Sequence, residues 1–133
     1  MNPEKSIPEL TEKADKLFSE DIRKKDADET GFVKCCTCGV MFRWQDLDCG
    51  HHISRWKFGT RYDERNCAPQ CRSCNGKHND NPKPFQMYIL KTYPAGTLTE
   101  LNKLAESFTS ALDKRFILND VIKKYGKRKK STI

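Results

Sequence analysis

The apolar residues near the N-terminus recur at the three- and four-residue spacing of an amphipathic helix. Ser6 can cap this helix, Pro8 lies in its first turn, and Glu9 follows three residues after the serine, which is a typical helix start. We predict a helix to about Lys25, ended by the acidic, turn-prone segment 26–30. The apolar positions that carry the prediction are Ile7, Leu10, Ala14, Leu17, Phe18 and Ile22.

Helical spacing returns after residue 80. Segment 85–90 predicts a helix that stops near Tyr93, because Pro94 restricts the residue before it. A capping-box pattern, Thr97-Leu98-Thr99-Glu100, then opens a helix whose apolar spacing continues to Leu112.

The last helix is predicted from Phe116 to Tyr125, with Gly126 at its end. The remaining segment 127–133 is predicted to be a disordered basic tail.

Two C-x-x-C pairs dominate the region between the predicted helices. Cys35 and Cys38 form the first pair, Cys71 and Cys74 the second, and 32 residues separate them. Two such knuckles complete the tetrahedral sphere of a structural zinc. Cys36 could replace Cys35 as a ligand. The two other cysteines, Cys49 and Cys67, are expected to be small buried apolar residues.

Composition agrees with an intracellular metal protein. The chain has 133 residues, 36% hydrophobic and 32% charged, which predicts one structural domain. It has neither a membrane-spanning apolar run nor a signal peptide pattern, so we expect a soluble cytoplasmic protein without a membrane partner. In a reducing cytosol, seven cysteines favour metal binding over disulfides.

The positive charge is concentrated in the last hundred residues. Segment 1–30 has 6 basic and 9 acidic residues, segment 31–95 has 10 and 5, and segment 96–133 has 9 and 4. The net charges of −3, +5 and +5 sum to +7. A basic surface of this kind favours a nucleic-acid partner, although solubility alone could also explain it.

All three histidines lie between the two knuckles or just after the second one in sequence. His51 and His52 are adjacent, and His78 follows Cys74. A helix beginning near Cys71 would place Asn75 and either His78 or Asn79 one turn apart on one face. These side chains could then converge on a cation held also by the histidine pair.

Three segments resemble the NinG (Rap) recombination proteins of lambdoid phages, within the HNH endonuclease superfamily. They are Gly50-His51-His52-Ile53-Ser54-Arg55, Arg61-Tyr62-Asp63-Glu64-Arg65-Asn66-Cys67 and Gln70-Cys71-Arg72-Ser73-Cys74-Asn75. The resemblance also includes Leu17–Arg23 and the later helices. It implies an α+β fold, in which a small zinc-stabilised ββα-metal (HNH) finger is flanked by N-terminal and C-terminal helices.

The expected organisation has four segments within one domain. Residues 1–30 are an amphipathic helix on the finger, 31–95 the zinc-knuckle nuclease core, 96–126 the C-terminal helices and 127–133 the basic tail.

The resemblance implies a metal-dependent endonuclease that cuts Holliday junctions or D-loops during phage or prophage recombination in the bacterial host. Its cofactors would be a structural Zn²⁺ and a catalytic Mg²⁺ or Mn²⁺. Its expected partners are branched DNA, a second copy of the chain and other phage recombination proteins. The alternatives are a non-catalytic zinc-ribbon DNA-binding protein and an HNH nuclease of restriction or DNA packaging.

The resemblance also implies roles for the histidines and asparagines. His51 is favoured as the general base, with His52 as a metal ligand or packing residue, but other HNH enzymes with a His-His pair use the first as ligand and the second as base. Asn66 would orient the base through its side-chain amide. Asn75 would bind the catalytic metal, with help from His78.

Nine basic side chains are expected to contact phosphates. By contrast, Trp44, Trp56 and Phe58 are expected in the finger core more than as base-stacking platforms. The expected phosphate contacts are Arg55, Lys57, Arg61, Arg65, Arg72, Lys127, Arg128, Lys129 and Lys130.

Overall fold

The computed structural model describes residues 5–131, which form two compact units. One unit contains the residues up to Asp21 and from Thr109 onward, and the other contains Ile22–Phe108. In chain order the helices and strands are α1 (Ile7–Lys24), β1 (Phe32–Lys34), β2 (Met41–Arg43), β3 (Asp48–His51), α2 (Phe58–Arg61), β4 (Cys67–Gln70), α3 (Arg72–Lys77), α4 (Lys83–Thr92), α5 (Thr97–Ala105) and α6 (Ala111–Ser131).

The first unit is built on α1 and α6, which run parallel. Near their starts, Arg115 donates to the carbonyl oxygen of Lys5 at 2.6 Å. Farther along, the ring of Tyr125 meets that of Phe18 edge-on, with centroids 5.2 Å apart. The predicted cap of α1 is confirmed, because the Glu9 N–H donates to Ser6 Oγ at 3.2 Å.

Two predictions about the C-terminal helices are wrong. The helix expected to continue to Leu112 ends at Ala105, and the next helix begins at Ala111. This helix does not end at Gly126 but runs on to Ser131. A glycine inside a helix costs only about 1 kcal/mol relative to alanine, and contacts of the following turn with α1 offset that cost. Residues 132–133 of the predicted tail lie outside the described residues.

Two ion pairs join this last turn of α6 to α1. Arg128 lies 3.2 Å from Asp21, and Lys129 lies 3.0 Å from Glu20.

The second unit contains two antiparallel strand pairs. β1 pairs with β2, and the turn between them is the first cysteine knuckle, where Gly39 takes a φ of 76°. β3 pairs with β4 in the register that places His51 opposite Cys67 and Asp48 opposite Gln70. α3 follows β4 directly. The expected mixture of helices and small sheets is therefore confirmed.

Two apolar clusters support these strand pairs. Val33, Cys35, Leu47 and Cys71 form the first, beneath the knuckles. The second brings α4 and α5 against β4 and contains Ala68, Phe85, Ile89 and Leu101.

The boundaries of α4 and α5 show which local signals were decisive. α4 ends at Thr92, as Pro94 predicted. α5 does not use the predicted capping box. Its N-cap is Gly96 with a φ of 93°, while the Thr97 hydroxyl donates to the Pro94 carbonyl.

No helix within the described residues is long and apolar enough to cross a membrane.

Candidate metal centre and candidate active site

The two C-x-x-C pairs meet in one cluster of four thiols. The sulfurs of Cys35, Cys38, Cys71 and Cys74 all lie within 4.8 Å of one another. The hairpin turn after β1 supplies the first pair, and the start of α3 supplies the second. Four thiolates so arranged could hold a structural metal such as zinc.

Backbone amides donate hydrogen bonds to the buried sulfur of Cys35 and favour its thiolate form. Cys35 Sγ accepts from the N–H of Thr37 at 3.4 Å and from that of Cys71 at 3.3 Å. Burial alone would raise the pKa of Cys35, but these amides and that of Cys38 lower it to about 7. A thiolate is the form that binds metal. Cys35 is therefore suited to ligation.

Cys36 is excluded from the cluster as the structure describes it. It is partly buried and packs against the second apolar cluster. Burial raises the pKa of the Cys36 thiol to about 12. The choice between Cys35 and Cys36 is thus decided by which sulfur faces the other knuckle.

One face of the β3–β4 hairpin packs against α3 and holds the polar side chains of the candidate active site. Asp48 and Gly50 point to this face, since side chains alternate along a strand, and His52 follows just beyond β3. Gly50 must lack a side chain, because a Cβ there would collide with Gln70. Asn75 and His78 reach this face from α3 and its C-terminal end.

The imidazoles of His52 and His78 lie together on this face. Their ring centroids are 5.5 Å apart, and the ring of Phe85 lies 5.8 Å from His52 and 5.4 Å from His78. Burial, followed by the charge of His78, lowers the pKa of His52 below its usual value. This lowered pKa favours the neutral form of His52. Its Nδ1 is buried and has no hydrogen-bond partner among the described residues.

Asn66 holds the loop that carries His52. Its amide oxygen accepts from the N–H of Ile53 at 2.8 Å, and its amide nitrogen donates to the carbonyls of Ile53 and Thr60. Its own carbonyl accepts from the His52 N–H at 2.8 Å. The prediction that its amide orients an imidazole is corrected, because this amide binds backbone groups and positions His52 through the chain.

Asp48 is a polar residue of this face that sequence reasoning missed. Its carboxylate accepts from the Asn75 amide at 3.2 Å and from the Arg72 guanidinium at 3.3 Å. Asn75 therefore contacts the hairpin through Asp48, and His78 contacts it through the His52 carbonyl. The alternation of Asp48, Gly50 and His52 along β3 is the signal that could have identified Asp48.

His51 points to the opposite face of the hairpin from Asp48 and Gly50. There its side chain meets two cysteines expected only to fill space, Cys49 and Cys67, and the three ligand atoms lie within 4.8 Å of one another. Desolvation of the buried Cys67 raises the pKa of its thiol. The structure therefore separates the two histidines that are adjacent in sequence.

The basic residues expected at phosphates occupy different environments. Arg55 and Lys57 are exposed, as is Arg72, whose side chain is 87% exposed. Arg65 is ion-paired with Asp63 at 2.7 Å and with Glu100 at 3.0 Å.

Arg61 does not suit a phosphate contact. It is 9% exposed and donates to the Arg55 carbonyl at 3.0 Å. The prediction for Arg61 is corrected to a structural role.

On α6, Lys127 is exposed, while Arg128 and Lys129 contact α1. The side chain of Lys130 lies outside the described residues.

The aromatic residues also differ from expectation. Trp56 is 81% exposed, with the Arg55 guanidinium 5.8 Å from its ring centroid, so its assignment to the finger core is wrong. Trp44 packs partly against the first apolar cluster, as expected. Phe58 is half-buried, edge-on to Tyr62 at 5.9 Å.

Comparison with known protein families identifies a match over almost the whole chain. The family model described as Bacteriophage Lambda NinG protein matches residues 3–131. No curated protein and no solved structure matches the chain.

Proposed function

This chain belongs to the bacteriophage lambda NinG family, and we propose that it is a metal-dependent endonuclease that cuts branched DNA recombination intermediates. Membership of the family implies a phage recombination-related protein. The finer proposal, an HNH-type nuclease, is supported by the polar face of the β3–β4 hairpin. The observation that carries it is the half-buried His52 imidazole packed against His78, on the face where Asn75 donates to Asp48.

We assign His52 the role of general base. A neutral imidazole can accept the proton of an attacking water, and such a group accelerates a reaction by about 100-fold to 10,000-fold. His52 is favoured over His51 because it lies on the face shared with α3. Its position is fixed by Asn66 and by the rings of Phe85 and His78.

The kinds of donor atom on this face suit a divalent cation. Asp48 and Asn75 offer oxygen atoms, which Mg²⁺ and Mn²⁺ prefer, and His78 offers an imidazole. The buried Nδ1 of His52 lacks a hydrogen-bond partner among residues 5–131, as expected of a polar atom whose partner is a bound ligand or water. When bound, Mg²⁺ or Mn²⁺ would neutralise charge that develops on the scissile phosphate.

Basic side chains next to this face would hold the DNA backbone. Arg72 lies beside Asp48 at 3.3 Å, and Arg55 and Lys57 follow His52 on the exposed loop. The exposed guanidinium of Arg72 could contact a phosphate with two donors at once.

The test is incubation of the purified full chain with labelled duplex, single-stranded, forked and four-way DNA, with and without Mg²⁺ or Mn²⁺. We expect metal-dependent cuts in the branched substrates. A His52→Ala protein prepared identically controls for contaminating nucleases and should cut at least about 100-fold more slowly. If the wild type binds these DNAs but cuts none with either metal, the proposal fails, and the non-catalytic zinc-ribbon protein becomes the better description.

A further inference from the structure

The opposite face of the β3–β4 hairpin carries a second group of metal-ligating side chains. His51 and Cys67 form a directly opposed pair across the two strands. Cys49 lies two residues before His51 on β3, so its side chain points to the same face. One ligand atom from each residue lies within 4.8 Å of the other two. Strand pairing therefore assembles two thiols and one imidazole.

The surroundings of His51 suit a metal ligand. Its Nε2 lies 2.9 Å from the Arg61 carbonyl oxygen, and its Nδ1 lies 3.3 Å from the carbonyl oxygen of Cys49. A neutral imidazole has one N–H, so it can donate to one of these carbonyls while the other nitrogen keeps its lone pair. Histidines that bind metals commonly donate their second nitrogen to a backbone carbonyl. Either tautomer of His51 finds that partner here.

We propose that Cys49, His51 and Cys67 bind a second zinc-class ion, distinct from any ion at the four-cysteine cluster. Sulfur and imidazole donors select zinc over magnesium. Three protein ligands leave a fourth position for solvent or a carbonyl oxygen. The Arg61 carbonyl, 3.9 Å from Cys67 Sγ, lies next to the three ligands.

Such an ion would connect the end of β3 to the start of β4. The end of β3 immediately precedes His52, and the start of β4 immediately follows Asn66. The backbone hydrogen bond between His52 and Asn66 positions the candidate base. The proposal does not require the chain to be a nuclease. It does require His51 to be a ligand, which leaves His52 as the histidine available to the other face.

The experiment counts the zinc bound by the full chain, freshly purified under reducing conditions, using elemental analysis and native mass spectrometry. We expect two zinc ions per wild-type chain. Cys49→Ser and His51→Ala should each retain one, and the Cys36→Ala control should retain two, because Cys36 belongs to neither group.

Cobalt substitution provides a second measurement on the same proteins. Cobalt bound by two sulfurs and one nitrogen should absorb differently from cobalt bound by four sulfurs. The band of the mixed site should disappear in Cys49→Ser and persist in Cys36→Ala. If the wild-type chain binds only one zinc ion and Cys49→Ser still binds that ion, the proposal is overturned. A Cys49–Cys67 disulfide in the reduced, freshly purified protein would overturn it as well.

Discussion

His78 donates from its Nε2 to the carbonyl oxygen of His52 at 2.8 Å, and the two imidazoles meet edge-on. This contact joins the C-terminal end of α3 to the loop just beyond β3. Because a carbonyl oxygen can only accept, the Nε2 of His78 carries a proton, and a neutral His78 would have its lone pair on Nδ1. The candidate base and the candidate metal ligand are therefore held by the same hydrogen bond.

The first prediction separates the roles of the two adjacent histidines. His52→Ala should lower cleavage of branched DNA by about 100-fold or more, the scale of general-base catalysis, with DNA binding unchanged. Added Mn²⁺ should not restore its activity, because the missing group is a proton acceptor. Single-turnover cleavage measured against metal concentration tests this.

The control for this prediction is His51→Ala. It removes a side chain from the opposite face and should lower thermal stability more than it lowers the cleavage step itself. If His51→Ala is inactive but fully stable while His52→Ala still cuts, the assignment is reversed.

The second prediction concerns Asn75. Asn75→Ala should weaken the catalytic cation, so its lost activity should return in part at high Mn²⁺. Asn79→Ala is the matched control, since Asn79 is an exposed residue four positions later, and it should cut normally. Equal losses in the two variants, or no rescue of Asn75→Ala by metal, would contradict a ligand role for Asn75.

The cysteine knuckles and most helices were predictable because their signals are local. A C-x-x-C pair specifies its own turn, and Ser6 with Glu9 specifies the start of α1. The extension of α6 beyond Gly126 was not predictable from local sequence, because the following turn contacts Asp21 and Glu20, more than a hundred residues earlier.

The candidate site likewise combines features that local sequence predicts with features that depend on contacts between distant segments. Sequence grouped the three histidines correctly in one region, but strand alternation sends His51 and His52 to different faces. The cluster of Cys49, His51 and Cys67 depends on the register of β3 with β4. Register is set by pairing between distant segments, so the pattern of either strand alone does not reveal it.

The third prediction concerns the four-cysteine cluster. Cys38 is exposed, so Cys38→Ser removes little packing and isolates the loss of a metal ligand. We expect loss of cooperative thermal unfolding, since structural zinc contributes folding free energy of about 10 kcal/mol or more in small zinc-finger peptides. A strong chelator should do the same to the wild type. Cys36→Ala, outside the cluster, should keep a cooperative transition. A Cys38→Ser protein as stable as the wild type would show that no metal supports the knuckles.

The fourth prediction concerns Trp56. Because its side chain is 81% exposed, Trp56→Ala should leave thermal stability unchanged. If the ring stacks on an unpaired base at a branch point, the substitution should weaken binding of forked DNA by about 5-fold to 150-fold, the range for one lost base stack. Trp56→Phe should retain much of the affinity. Phe116→Ala removes a ring that is 75% exposed on α6, and it should have no such effect. Unchanged binding by Trp56→Ala would exclude the stacking role.

The last prediction concerns the basic end of α6. Arg128 and Lys129 are ion-paired with Asp21 and Glu20, and exposed ion pairs of this kind contribute only about 1 kcal/mol or less to stability. Replacing both acids, as Glu20→Gln with Asp21→Asn, removes two negative charges and these two ion pairs. If this end of α6 contacts DNA, affinity should rise for every substrate.

The salt dependence of that double variant should steepen by up to about 0.9 in log–log slope for each additional phosphate contact. Arg128→Gln with Lys129→Gln should do the opposite, again without altering the preference for branched over linear DNA. The binding constants should be measured by fluorescence anisotropy across a salt series. If the two double variants bind alike, the end of α6 does not contact DNA. A change in branch preference would instead show that these cations recognise DNA structure, because general electrostatic attraction affects all substrates equally.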